Sequence, residues 1–127
     1  MDMLSIDEVN VESFQIKAAA EGERLNLRLS GTGDMVAVAH LKRCLEQARA
    51  SLKSRIFTQL LVDIRALYLL NSSCIKTMVH FIYLNLEEGP GVPIEFVVDE
   101  KVTWQPRALA ALKRLAPKHV TITSKAG

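Results

Sequence analysis

One segment of this chain restricts its fold more than any other. Residues 57–64 are close to continuously apolar (Phe57, Leu60, Leu61, Val62, Ile64), and after a short polar break Asn71-Ser72-Ser73-Cys74 opens a helix-periodic stretch that runs to Glu88. Such an apolar run reads as a strand covered on both faces in the middle of a sheet. The helix that follows has a buried stripe at Ile75, Met78, Val79, Ile82 and Leu86, and Gly89-Pro90-Gly91 stops it by removing helical backbone options. A central strand feeding a crossover helix implies a largely parallel α/β sheet.

The flanks supply the other elements. Residues 13–19 and 24–29 alternate apolar with polar (Phe14, Ile16, Ala18; Leu25, Leu27, Leu29) around a turn at Ala20-Glu21-Gly22-Glu23, the pattern of an antiparallel hairpin. Asp34 can cap the next helix, whose Val38, Leu41, Leu45, Ala48 and Leu52 repeat at spacings of three and four. Val92–Val98 makes a fourth strand. Pro106 suits the first turn of a third helix, with Leu109, Leu112 and Leu115 facing inward, and Pro117 ends it before a short last strand at His119–Thr123. The order β-β-α-β-α-β-α-β predicts a mixed sheet: a hairpin, then right-handed crossovers with helices crowded on one face.

Composition narrows the function. With 127 residues and 49% of them hydrophobic, the chain has material for one packed core. A formal charge of +2 from nearly balanced acids and bases gives no field to recruit nucleic acid or an anionic membrane. Neither a secretory leader pattern nor an apolar stretch of membrane-spanning length is present, so the reading is a cytoplasmic protein without membrane insertion. Cys44 and Cys74 lack metal-pair or CxxC spacing and read as reduced thiols near the core. His40, His80 and His119 share no ligand spacing, so no metal is expected, and no cofactor.

Catalytic motifs are incomplete. Gly31-Thr32-Gly33-Asp34 lacks both the third Rossmann glycine and the Gly-Lys-Ser/Thr ending of a phosphate loop, and reads as a strand-to-helix turn. The flanks of Ser72, Ser73 and Cys74 lack the elbow that exposes a nucleophilic serine, and His80 lies nearly two turns from Cys74 on another side of the helix. The chain therefore reads as a non-enzyme. A hydroxyl at a helix start is, however, a place where added phosphate meets the positive dipole end and free N–H groups. Asn and Ser are also preferred caps, so capping and a phosphorylation switch at Ser72 both fit the local sequence. Phe81, Tyr83 and Leu84 give the second helix more apolar surface than one buried face needs; for Tyr83 and Leu84, packing and partner contact both stay open.

Two motifs carry a family resemblance: Leu27-Arg28-Leu29-Ser30-Gly31-Thr32-Gly33-Asp34, and Val62-Asp63-Ile64 leading to Asn71-Ser72-Ser73-Cys74. In order and spacing, from about Ser13 to Thr123, the chain resembles STAS domains of the bacterial anti-sigma-factor-antagonist type. There the second strand ends in Gly followed by Asp, and Asp-Ser-Ser/Thr-Gly opens the helix after the third strand. The resemblance implies a single α/β STAS-like domain over 11–124, with a mixed, mostly parallel sheet, an N-terminal antiparallel hairpin and helices mainly on one face. Residues 1–10 are then a flexible N-terminal segment and 125–127 a tail. It implies a signalling module that binds a protein partner, a serine kinase or anti-sigma factor, with a homodimer as an alternative assembly. Ser72 matches the phosphoacceptor. Gly33, Asp34, Asn71, Ser72, Ser73, Cys74, Lys76 and Tyr83 are the partner-binding candidates, and Asp63 is expected near the same loop.

Two positions depart from the family pattern: Asn71 replaces Asp and Cys74 replaces Gly. Asn71 keeps a capping oxygen but loses charge, and a Cys74 side chain is expected to obstruct close docking where the family keeps backbone accessible. The alternative function is thus a non-phosphorylated STAS-like scaffold or small-ligand sensor.

Overall fold

The computed structural model describes residues 6–54 and 57–126. Its elements follow the order β1 (Val9–Val11), β2 (Phe14–Glu21), β3 (Arg24–Gly33), α1 (Met35–Lys53), β4 (Gln59–Leu70), α2 (Ser72–Glu87), β5 (Ile94–Val98), α3 (Trp104–Leu115) and β6 (Val120–Ser124). They form one six-stranded sheet whose spatial order is the sequence order, β1 to β6. The pairs β1–β2 and β2–β3 are antiparallel, while β3–β4, β4–β5 and β5–β6 are parallel. Three right-handed crossovers stepping the same way across the sheet bring all three helices to one face.

The register explains the core. Opposed pairs Ile16–Leu29, Leu27–Val62, Val62–Phe96 and Ile94–Val120 run across the strands on one face, and every one of these side chains is buried. The helices close over them with Leu41, Leu45, Met78, Ile82, Leu109 and Leu112 buried, and with Val38, Ile75 and Val79 partly buried against the same cluster. The strand after α1 is central, between β3 and β5, but only one of its faces is covered. Leu60, Val62 and Ile64 point into the core, while Leu61, Asp63 and Arg65 alternate with them at partial exposure. The alternation was present in the sequence and is decided by the helices sharing a face. The strand also runs to Leu70, through the expected polar break, because two extra residues in β4 are absorbed as register shifts against β3.

Other differences are local. The buried Ile6 and the first two residues of β1 fall within 1–10, the segment expected to be flexible; β1 extends the hairpin edge and Ile6 packs on the core, while residues 1–5, and residue 127 of the tail, lie outside the described residues. Leu115, expected to face inward, is 56% exposed because α3 ends there, at the rim of its packing on β5 and β6. Two buried polar residues carry structure that no local pattern signals. Asn85 donates from Nδ2 to the Val92 carbonyl and accepts the Gly91 N–H, pinning the turn after α2. Gln105, fully buried, donates from Nε2 to the carbonyls of Ile64 (2.7 Å) and Leu67 (2.8 Å) and accepts the Asp99 N–H at 2.9 Å. Its amide therefore serves β4 just beyond Asp63–Val97, where the β4–β5 ladder ends.

Candidate functional site

At the C-terminal ends of β3 and β4 the two sequence motifs meet. Gly33 stands opposite Leu70 in the last rung, and the Asn71 N–H donates to the Gly33 carbonyl at 2.8 Å. The approach favours glycine, since a larger residue would have to displace the Leu70 side chain. A Cβ at Gly33 would lie 2.6 Å from Leu70 Cδ1 and 3.2 Å from the Leu69 carbonyl oxygen. Asp34 then caps α1, its Oδ1 accepting the Val36 N–H at 3.1 Å, and Asn71 caps α2, its Oδ1 accepting the Cys74 N–H at 2.8 Å. Two helix N-termini are thus held side by side.

Ser72 is the first residue of α2 and is exposed. Because Asn71 supplies the cap, the Ser72 hydroxyl is not needed for it. Lys76 and Tyr83 are exposed on the same helix. At 100° per residue they lie within about 40° of Ser72, on one stripe about 16 Å long. Around the two helix starts stand exposed apolar side chains that the sequence reading did not single out: Met35 and Val36 after Asp34, and Tyr68 and Leu69 before Asn71, each at least half exposed. Beside them Leu70, Ile75, Thr103, Trp104, Arg107 and Ala108 line a groove of about 430 Å³. Of the two side chains left open on α2, Tyr83 is solvent-facing, and Leu84 lines a small groove between α1 and α2 next to the buried Phe81.

Two expected site residues sit elsewhere. Cys74 is completely buried, and its thiol points inward to within 3.7 Å of the carbonyl oxygens of Gly33 and Asp34. Its side chain therefore lies beneath the two motifs and not on the outer surface, where it was expected to obstruct docking. Burial, with Asp34 adding, raises its pKa; burial, with Asp7 adding, pushes Cys44 up to about 11. Burial thus disfavours the thiolate at both positions. Asp63 is eight residues before Asn71, about 26 Å along an extended strand, on the face away from the helices. Burial pushes its carboxyl up, but two side-chain hydrogen bonds and a backbone N–H from Arg65, with the charges of Arg65 and Arg28, outweigh this and hold it below the usual value. It does not join Asp34 at the Ser72 loop.

Among the described residues no group of three or more His, Cys, Asp or Glu side chains could hold a metal ion, and no helix is long and apolar enough to cross a membrane. No protein-family model and no curated protein sequence matches the chain. Solved structures do match its fold. An anti-sigma factor antagonist from Mycobacterium paratuberculosis superposes with a TM-score of 0.67 at 19% identity, over 86% of each chain. The anti-sigma factor antagonist SpoIIAA in its unphosphorylated form gives 0.57 at 13% identity, over 90% of each. A DUF3478-family protein with a SpoIIAA-like fold from Shewanella loihica gives 0.54 at 16% identity, over 90% of this chain and 88% of that one. The chain therefore has the SpoIIAA-like fold, that of a STAS domain.

Proposed function

We propose that this chain is a signalling module that docks a regulatory protein through the surface around Ser72, and that phosphate on Ser72 releases the partner. The observation that carries this reading is an exposed serine at the first position of a helix already capped by Asn71, with the exposed apolar side chains of Met35, Val36, Tyr68 and Leu69 at the two adjoining strand–helix turns. Exposed apolar side chains give a partner area to bury, and a phosphate on the serine of the same turn region would act against docking there. Two matching solved structures are anti-sigma factor antagonists, which supports a partner of the serine-kinase or anti-sigma-factor kind. Lys76 and Tyr83 extend the contact along α2, Asp34 and Ser73 border it, and Gly33 and Asn71 shape it. Cys74 supports it from below. No catalytic step is assigned to the chain, and a cytoplasmic setting suits such a partner.

Binding of a co-purified partner to wild type, Ser72→Ala and Ser72→Asp, measured by calorimetry, tests the switch. Ser72→Asp is expected to weaken binding at least tenfold and Ser72→Ala to leave it within about threefold. Equal affinities for all three would refute charge control and favour the non-phosphorylated scaffold.

A further inference from the structure

The face of the sheet that carries no helix has its own chemistry. Glu8, Val9 and Asn10 at the β1 edge, Gln15, Ile16 and Lys17 of β2, and Arg28 and Ser30 of β3 line a groove of about 510 Å³ there. That is within the size range of small-molecule sites. In the antiparallel register Lys17 stands directly opposite Arg28, and both residues are exposed. Like charges so placed repel, and a sheet shaped by stability alone avoids them.

Neighbouring acids offset the repulsion only in part, Asp63 sharing its charge between Arg65 and Arg28. Asp63 lies opposite Arg28 across the β3–β4 pair, but both of its oxygens are bound by Arg65, at 3.0 Å from Nε and 2.8 Å from Nη2. Glu8 is tied to the sheet edge, its Oε2 accepting the Ala18 N–H at 3.1 Å. In the next rung the Ser30 hydroxyl donates to Gln15 Oε1 at 3.0 Å, which uses the Gln15 acceptor and not its two donors. Asn10 opposes Gln15 and adds a second amide. The groove thus combines two adjacent cations with a rim of amides and a hydroxyl, and the Glu8 carboxylate stands at its β1 edge, engaged by the Ala18 N–H.

We propose that this groove binds a small phosphate-bearing polar molecule, with Lys17 and Arg28 as counter-charges to the phosphate and Asn10, Gln15 and Ser30 hydrogen-bonding its hydroxyl groups. A phosphate dianion neutralises both cations, which a single carboxylate does not, and a guanidinium matches its paired oxygens. Occupancy turns the Lys17–Arg28 repulsion into attraction to a shared anion, so ligand binding stabilises the hairpin edge of the domain.

The test is an amide NMR titration of the whole chain with inorganic phosphate and with glucose 6-phosphate at constant ionic strength. Saturable shifts are expected at Gln15, Lys17, Arg28 and Ser30, with the ester binding more tightly than inorganic phosphate. Lys17→Gln and Arg28→Gln should each weaken binding at least tenfold, while Lys118→Gln, an exposed cation elsewhere, leaves it unchanged. A second readout needs no ligand: Lys17→Gln should melt at or above the wild-type temperature, since it removes the repulsion, and phosphate should raise the melting temperature of wild type but not of the double variant. Shifts spread over exposed cations without saturation, or wild-type affinity in the double variant, would overturn the site. Equal or weaker binding of the ester would overturn the role given to the rim.

Discussion

Replacing Gln105 with alanine tests whether a single amide secures the strand that leads to Ser72. In the folded protein this side chain makes three hydrogen bonds of 2.7–2.9 Å, two to carbonyls of β4 and one from the Asp99 N–H. Its removal strands up to three backbone groups, two of them on the irregular part of β4 where strand pairing to β5 has ended. Each buried unsatisfied group costs about 1–3 kcal/mol. Allowing for water to reach the Asp99 end, which is only half-buried, the loss should be about 3 kcal/mol. For a chain of this length that lowers the melting temperature by roughly 10 °C. Gln105→Leu separates the amide from its volume: it refills the space, so a pure cavity effect predicts near wild-type stability, whereas the hydrogen-bond argument predicts a loss similar to that of alanine. Urea denaturation of the three proteins, followed by circular dichroism, decides the matter. A Gln105→Leu variant within about 0.5 kcal/mol of wild type would refute the reasoning, because that is no more than an ordinary surface change.

Asn71→Ala should cost about 1 kcal/mol, the usual value of a helix cap, and Ser72→Ala clearly less, since Asn71 makes the capping bond; thermal melts of both check the assignment. Cys74→Gly, which restores the family residue, should destabilise the domain by about 2 kcal/mol through lost packing and added chain entropy, with partner affinity unchanged at matched folded fraction. Because the folded Asp63 carboxyl titrates below its ordinary value of 3.8, its pairing contributes stability that is full above that pH and is lost as pH falls through the lower folded value. Arg65→Gln should therefore be less stable than wild type at pH 7, with the gap closing in urea melts below about pH 4.

The order of elements from β2 onward was legible in the sequence, because each of these rests on local chemistry. Period-2 and helical apolar patterns, the caps at Asp34 and Asn71, and the Gly-Pro-Gly stop after α2 are all set by neighbours within a few residues. The meeting of the Gly33-Asp34 and Asn71–Cys74 motifs was readable only through a family resemblance, since nothing local joins residues some 40 positions apart. The tertiary structure alone decided the rest. It chose which face of β4 stays open, because three same-handed crossovers crowd the helices together. It turned Cys74 inward and carried Asp63 away from the loop, since burial and strand direction are non-local. It also assigned Gln105 and Asn85 their backbone partners and set Lys17 against Arg28, for a hydrogen bond or a repulsion across a sheet exists only once distant segments share a register.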